Sequence, residues 1–131
     1  MELIDINKEL VKLGTELELN VVDDKEYLKG KTLWIEEIYK SKNQGNKSNS
    51  KSNFYVLIDI YETNANKAKL YEVGNKFSEL MLNNFMIDNE EYEVNVKQTR
   101  EQMRKVSMDT GKLYEYAFAL FAFVSYISIN T

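Results

Sequence analysis

The sequence predicts an α+β domain in which a mostly antiparallel sheet of four to five strands packs against two helices. Two periodicities indicate this class. Apolar and polar residues alternate in several short stretches, as in strands with unlike faces, and two other stretches repeat apolar residues at steps of three and four, as in amphipathic helices. At 131 residues, the chain is predicted to form one domain, residues 1–131, around one core.

The first helix is predicted from the apolar residues near the N-terminus. They recur at helical spacing and would form one face: Leu3, Ile6, Leu10 and Leu13. Gly14 is expected to end this helix as a left-handed residue. Alternating apolar residues over 17–22 then predict a short strand, and Asp23-Asp24 predicts a turn.

The next strand is predicted over Thr32–Tyr39, and Glu37 is expected to share a face with Leu33 and Ile35. Residues 40–53 contain no apolar side chain, so they are predicted to form a mobile polar loop at the tip of a long hairpin. A loop of this length in a compact domain is often functional, and a solvated linker is the alternative.

The third strand is predicted over Phe54–Tyr61, and the polar segment Glu62–Asn66 is expected to cap a following helix. That helix has about five turns, and Gly74 within it is expected to allow a close approach to the sheet. Its apolar stripe contains Leu70, Val73, Phe77, Leu80 and Met81.

The last part of the chain predicts two strands separated by a loop. Over Tyr92–Val96, apolar residues alternate with polar and charged ones, which indicates a strand with one face in solvent. A charged loop is predicted over 101–111, and its methionines would either be buried against a neighbouring molecule or fold back over the core. The aromatic run Leu113–Ile129 predicts a strand in the middle of the sheet.

The composition argues against several kinds of active site. The chain has no histidine and no cysteine, so it can form no Ser-His or Cys-His pair and no thiolate metal site. Its isolated glycines form no phosphate-binding loop, and neighbouring acids such as Glu36-Glu37 would point to opposite faces of a strand. We therefore predict that the protein is not an enzyme and has no catalytic, metal-binding or cofactor-binding residues.

Asp59 departs from the apolar pattern of its strand. The alternation places it with Tyr55 and Tyr61, so we expect it on the outer face of the sheet, either in solvent or at a subunit contact. A buried carboxylate would instead require a partner.

The charge of the chain is modest, at −4, which gives no general affinity for nucleic acid. The polar loop is basic, with Lys40, Lys42, Lys47 and Lys51, but it has no aromatic residues for stacking against bases. A solvated loop or a contact with an acidic protein surface is the expected role. Tyr116–Val124 is too short to cross a bilayer, so we expect a buried strand and no membrane attachment.

The ordered layout of these segments resembles the tail terminator, or tail completion, proteins of tailed bacteriophages and phage tail-like particles. An N-terminal helix precedes the strand FYVLIDIYE at 54–62 and the helix NANKAKLYEVGNKFSELM at 64–81. The strand YEVNVKQTR at 92–100 and the closing segment DTGKLYEYAFALFAFVSY at 109–126 follow. The resemblance covers nearly the whole chain, whereas the composition of the 40–53 loop has no counterpart in it.

The resemblance implies a structural virion protein that forms a ring, usually of six copies, on the finished tail tube. Its partners would be the tail tube protein and the head-connector proteins, with the tail sheath as a further candidate. DNA would pass through the lumen without specific binding. The protein would reside in the tail or neck of the virion after assembly in the host cytoplasm.

A ring requires two different complementary patches on each subunit. As a hypothesis, the wet face of the Tyr92–Val96 strand, the charged loop that follows and the lysines of the polar loop supply the subunit contacts. The residues of this predicted interface are Lys42, Lys47, Lys51, Glu93, Arg100, Met103, Arg104, Met108 and Asp109.

Two alternatives remain at this point. A small phage-encoded inhibitor that binds a host defence protein would also be a compact domain without catalytic residues. An enzyme that holds a divalent ion through carboxylate oxygens is the other alternative.

Overall fold

The computed structural model describes residues 3–41, 51–63, 66–84, 92–106 and 114–128. These residues form two helices, α1 and α2, a short 3-10 helix, and one sheet of five strands, β1 to β5. Their bounds are α1 Leu3–Glu16, β1 Asn20–Val22, the 3-10 helix Lys25–Tyr27, β2 Thr32–Ser41, β3 Lys51–Tyr61, α2 Lys67–Asn84, β4 Tyr92–Lys105 and β5 Tyr116–Ser128. The predicted α+β class is confirmed.

The strand order is β1-β2-β3-β5-β4. Only the short β1 pairs in parallel, with β2, and the other three pairings are antiparallel. The predicted antiparallel hairpin of β2 and β3 is therefore confirmed. The aromatic β5 lies inside the sheet between β3 and β4, which leaves β4 as an edge strand of the described sheet.

Both helices cover the same face of the sheet, which we call the inner face. The apolar stripe of α2 and that of α1 are buried with the even-numbered residues of β3 and β5. Antiparallel alternation places the odd-numbered residues of these two strands on the opposite, outer face. The main core therefore lies between the helices and the inner face, as the helical stripes predict.

The end of α1 differs from the prediction. The helix continues past Gly14 to Glu16, and the left-handed residue is Glu18, with φ of 60°. Gly14 has another role, because a Cβ built on it would lie 2.6 Å from Cγ2 of Val21. Its lack of a side chain allows β1 to pack against the helix.

The second strand also differs from the prediction, because β2 contains a β-bulge. Its register with β3 shifts between Ile35 and Glu37, so an extra residue changes the alternation. Ile35 pairs with Ile58 on the inner face, but Glu37 pairs with Leu57 on the outer face. The expectation that Glu37 shares a face with Leu33 and Ile35 is therefore wrong.

The entry into α2 agrees with the prediction, since Asn66 Oδ1 accepts a hydrogen bond from the Lys69 backbone N–H at 3.0 Å. The close approach at Gly74 is confirmed as well. A Cβ there would lie 2.5 to 2.6 Å from ring atoms of Phe118, which is fully buried on β5.

Both predicted loops are shorter than expected. Strand β2 ends at Ser41 and strand β3 begins at Lys51, so the ends of the predicted 40–53 loop are strand residues. Residues 42–50 lie outside the described part of the chain. Strand β4 continues to Lys105 through the first half of the predicted 101–111 loop. A β-bulge between Gln98 and Arg100 breaks its register, which explains why the alternation is unclear in this stretch.

Candidate functional site

The outer face of the sheet divides into two parts. At the end of the sheet near Tyr61, a small apolar cluster covers it: Tyr61, Tyr114 and Ala117 are buried, and Leu28, Trp34 and Val106 pack against them. Further along the strands the outer face carries aromatic side chains that are only partly buried.

Under the apolar cluster lies a polar triad formed by Asp59, Tyr61 and Arg104. Asp59 is 2 % exposed, and its Oδ2 accepts hydrogen bonds from Arg104 and from the Tyr61 hydroxyl, the latter at 3.0 Å. Arg104 Nη2 also donates to the Tyr61 hydroxyl oxygen at 3.2 Å. The expected outer-face position of Asp59 is correct, but the residue is buried and paired within its own chain.

The sheet register explains how the triad forms. Tyr61 pairs with Ala117 of β5, and Ala117 pairs with Arg104 of β4. Asp59 lies two residues away along β3, opposite Ala119. Because both β5 residues are alanines, the long Arg104 side chain can cross β5 and reach Asp59 on the far strand.

The surroundings of the triad shift two pKa values. Burial, followed by the negative charge of Asp59, raises the pKa of the Tyr61 hydroxyl well above its usual 10, while Arg104 opposes the shift. Burial, the largest single influence, disfavours the charge on Arg104, but the charge and hydrogen bond of Asp59 and the contact with Tyr61 together outweigh it and raise the pKa of the guanidinium. The triad therefore holds a neutral tyrosine and a charged arginine over the ordinary pH range, which is the arrangement of a structural ion pair.

The second part of the outer face is an aromatic surface, which we define as Tyr39, Tyr55, Leu57, Phe121 and Phe123. Tyr39 and Tyr55 stack with ring centroids 5.0 Å apart, and the ring of Tyr55 also meets those of Phe121 at 5.8 Å and Phe123 at 5.3 Å. Tyr39 is 39 % exposed, and the other four are partly buried.

A groove of about 170 Å³ lies between the aromatic surface and the triad. Leu57, Ala119 and Phe121 form its apolar lining, and polar side chains from the two bulged strands complete it: Glu36, Arg100 and Gln102. Arg100 donates a hydrogen bond to Gln102 Oε1 at 2.7 Å. No group of three or more acids that could hold a metal ion occurs in the described ranges.

The predicted interface residues fall into three groups. Lys42, Lys47, Met108 and Asp109 lie outside the described residues. Lys51 and Glu93 are both paired with Ile127, on either side of β5, so they lie in one row of the sheet.

The remaining three predicted residues, Arg100, Met103 and Arg104, lie on the edge strand β4. Arg100 is exposed, whereas Met103 packs against the main core, as in the alternative in which the methionine folds back. Arg104 binds Asp59, so its substitution would disturb the monomer as well as any subunit contact.

Sequence reasoning missed the triad and the aromatic surface as units. The sequence pattern predicts a loop over 101–111, so it gives no sign that Arg104 pairs with Asp59 on a strand. The signal for the aromatic surface was present, since Tyr55 and Leu57 alternate with buried residues and face the same side as Phe121 and Phe123.

No protein-family model matches the chain, and no curated protein matches it. In the described part of the chain, no helix is both long and apolar enough to span a bilayer. The segment Tyr116–Val124 belongs to the interior strand β5, as the sequence predicts.

Proposed function

We propose that the protein is a structural subunit that assembles head to tail into a closed ring, as the terminator of a phage tail tube. The observation that supports the proposal is the difference between the two lateral edges of the sheet. One edge is the 14-residue β4, and the other is the three-residue β1. Contacts between unlike patches are heterologous, and they close into a ring when the rotation between neighbours is a fraction of a full turn.

The charges of the two edges are complementary. Strand β4 carries four basic residues and two acids, and its exposed cations include Lys97, Arg100 and Lys105. Around β1, residues 16–31 contain five acids and three lysines, and Asp23 and Glu26 are exposed. Complementary charge favours contact between unlike edges and opposes contact between like edges, so it selects the head-to-tail arrangement.

The acidic edge also has a recess with both apolar and polar lining. A cavity of about 350 Å³ lies between α1 and β1, lined by Val11, Val21 and Tyr27 beside Asp23. Val11 and Tyr27 are 38 % and 62 % exposed. Exposed apolar side chains beside charged ones are typical of a protein contact, and they would supply the buried centre of the interface.

Charge reversal of each edge tests the proposal. Asp23→Lys with Glu26→Lys reverses the acidic edge, and Lys97→Glu with Lys105→Glu reverses the basic edge. Either pair alone should reduce assembly, and all four changes together should restore it, because the two edges are again complementary. Lys8→Glu on the exposed side of α1 is the control and should have no effect.

Mass photometry of the purified variants reads out the assembly, and circular dichroism checks that each remains folded. Rings that persist in both edge variants would refute the edge contacts. A protein that stays monomeric and binds one host protein in a one-to-one complex would support the inhibitor alternative instead.

A further inference from the structure

The aromatic surface and its flanking charges form two rows across the sheet. Each row takes one residue from each of β2, β3, β5 and β4, in that order. The first row consists of Glu37, Leu57, Phe121 and Arg100, and the second consists of Tyr39, Tyr55, Phe123 and Lys97. Neighbours in register share a face of the sheet, so both rows lie on the outer face. Each row therefore has an apolar centre and a cation at its β4 end.

The first row is self-complementary. Its ends are opposite charges, the exposed Glu37 and Arg100, placed symmetrically about the Leu57–Phe121 pair. A two-fold axis that runs along the strands, between β3 and β5, exchanges the two ends of the row. In a second copy related by this axis, Arg100 would lie over Glu37 of the first copy, and Glu37 over Arg100.

The second row fits the same operation. The axis brings Lys97 of one copy over the exposed ring of Tyr39 in the other, where a cation and an aromatic face attract one another. It also places Phe123 over Tyr55, so aromatic rings meet at the centre. A two-fold axis perpendicular to the strands would instead place Glu37 over Glu37, which is unfavourable.

From this pattern we propose that the aromatic surface binds the same surface of a second copy of the chain, so that two sheets pack face to face in an isologous pair. Sheets that pack in this way are about 10 Å apart and cross at roughly 30°. The inference does not require the proposed function, because the apolar centre of this surface is not part of the ring edges, although Lys97 and Arg100 at the β4 end of the rows also belong to the basic edge.

The size of the surface sets the expected strength. Four strands spaced about 4.8 Å apart, over two rows that occupy some four residues of about 3.4 Å rise, give roughly 260 Å² per copy. Such an area is below that of stable protein interfaces. We therefore expect a weak, reversible pair that forms only at high protein concentration.

Thiol cross-linking tests this geometry directly, because the chain has no native cysteine. Facing Cα atoms of sheets about 10 Å apart are too distant for a disulfide, so a short bis-maleimide is the probe. In the proposed pair, a chain with Glu37→Cys and Arg100→Cys forms two cross-links with one partner and then has no free thiol. Each thiol adds across a maleimide double bond, its sulfur to one carbon and its proton to the other, so no oxidant is needed. Within one chain, the two positions are three strand spacings apart, about 14 Å, which is beyond the reach of the short spacer.

The expected result is a single band at the mass of two chains on a denaturing gel, with no larger products. A ladder of three or more chains would show head-to-tail contact through these residues and would overturn the proposal. Absence of any cross-link would overturn it as well. A chain with Lys8→Cys and Lys76→Cys, both exposed on the helical side, is the matched control and should give no discrete two-chain band.

Charge reversal supplies a second measurement that needs no cross-link. Glu37→Arg or Arg100→Glu alone should raise the dissociation constant of the pair at least tenfold. Either substitution places like charges opposite one another at both of the sites where positions 37 and 100 meet. The double variant should recover the wild-type value in sedimentation equilibrium. Failure of the double variant to recover, while it remains folded, would contradict the two-fold arrangement. Glu37 lies on β2, away from both edges of the sheet, so Glu37→Arg tests the pair without changing either ring edge. Failure of the pair in this variant and failure of the ring are therefore separate outcomes.

Discussion

Arg104 reaches across a whole strand to bind Asp59. The two residues are 45 positions apart in the chain and lie on β4 and β3, which are not neighbours because β5 runs between them. Their contact passes over Ala117 and Ala119, where larger side chains would block it. This pair ties the edge strand β4 to the centre of the sheet through side chains, in addition to the backbone ladder with β5.

Arg104→Leu should destabilise the fold, because it leaves the buried Asp59 carboxylate without its cation. Removing one partner of a buried pair costs about 3–5 kcal/mol, and the partial exposure of Arg104 reduces the expected loss to about 2 kcal/mol. Urea denaturation measures the change. Asp59→Asn combined with Arg104→Leu should cost less than the sum of the two single changes. An additive result would show that the two residues do not interact.

Tyr61→Phe should lower the free energy of unfolding by about 1 kcal/mol at pH 7, since the hydroxyl both donates to Asp59 and accepts from Arg104. Tyr27→Phe, at a tyrosine that is 62 % exposed, is the control and should have little effect. Equal losses in the two variants, measured by urea denaturation, would contradict the role of the hydroxyl.

The raised pKa of Tyr61 also predicts a loss of stability at alkaline pH. Its folded pKa lies above the unfolded value of about 10, so the stabilisation is complete below pH 10. Above pH 10 the unfolded chain releases the proton and the folded chain retains it, so stability falls as the pH rises toward the folded pKa. The measurement is the urea midpoint of each protein from pH 8 to 11. Over this range the wild type should lose more stability than Tyr61→Phe. Parallel curves would refute this assignment.

Gly74→Ala should destabilise the protein although alanine favours helices. The new methyl group would overlap the buried ring of Phe118, and overpacking of this kind costs about 1–3 kcal/mol against a helical gain of about 1 kcal/mol. We expect a net loss on the order of 1 kcal/mol in thermal and urea unfolding. Asn75→Ala, at the next and exposed position of α2, is the control and should be neutral or slightly stabilising.

Glu18→Gly should stabilise the protein by a few tenths of a kcal/mol. Glu18 has a left-handed backbone, which costs a residue with a side chain about 1–2 kcal/mol, and the greater freedom of glycine in the unfolded chain offsets part of the gain. Glu16→Gly, two residues earlier within α1, should instead destabilise by about 0.5–1 kcal/mol. The two substitutions are therefore expected to change the urea midpoint in opposite directions.

The sequence was sufficient for elements whose periodicity is uninterrupted. The apolar stripe of α2 and the alternation of apolar residues in β3 each continue without a break along a regular element. The helix, the strand and their buried faces could therefore be predicted. The position of Gly74 against the sheet could be predicted for the same reason, because a glycine within an amphipathic helix is typical of a close approach.

Prediction failed where a bulge or a cap changed the geometry. The bulges in β2 and β4 interrupt the alternation, so the pattern predicts the wrong face for Glu37 and a loop where the second half of β4 lies. The end of α1 was misplaced because the glycine serves a packing contact and a glutamate takes the left-handed position. The triad depends on a contact across three strands, which a linear pattern does not contain.

Native mass spectrometry of the untagged wild-type protein tests the central proposal of head-to-tail assembly most directly. The proposal predicts one closed species built from copies of the 15.4 kDa chain, six by the resemblance to tail terminators, or twelve where two rings pair through the aromatic surface. A mass that remains at one or two chains across all concentrations would contradict it.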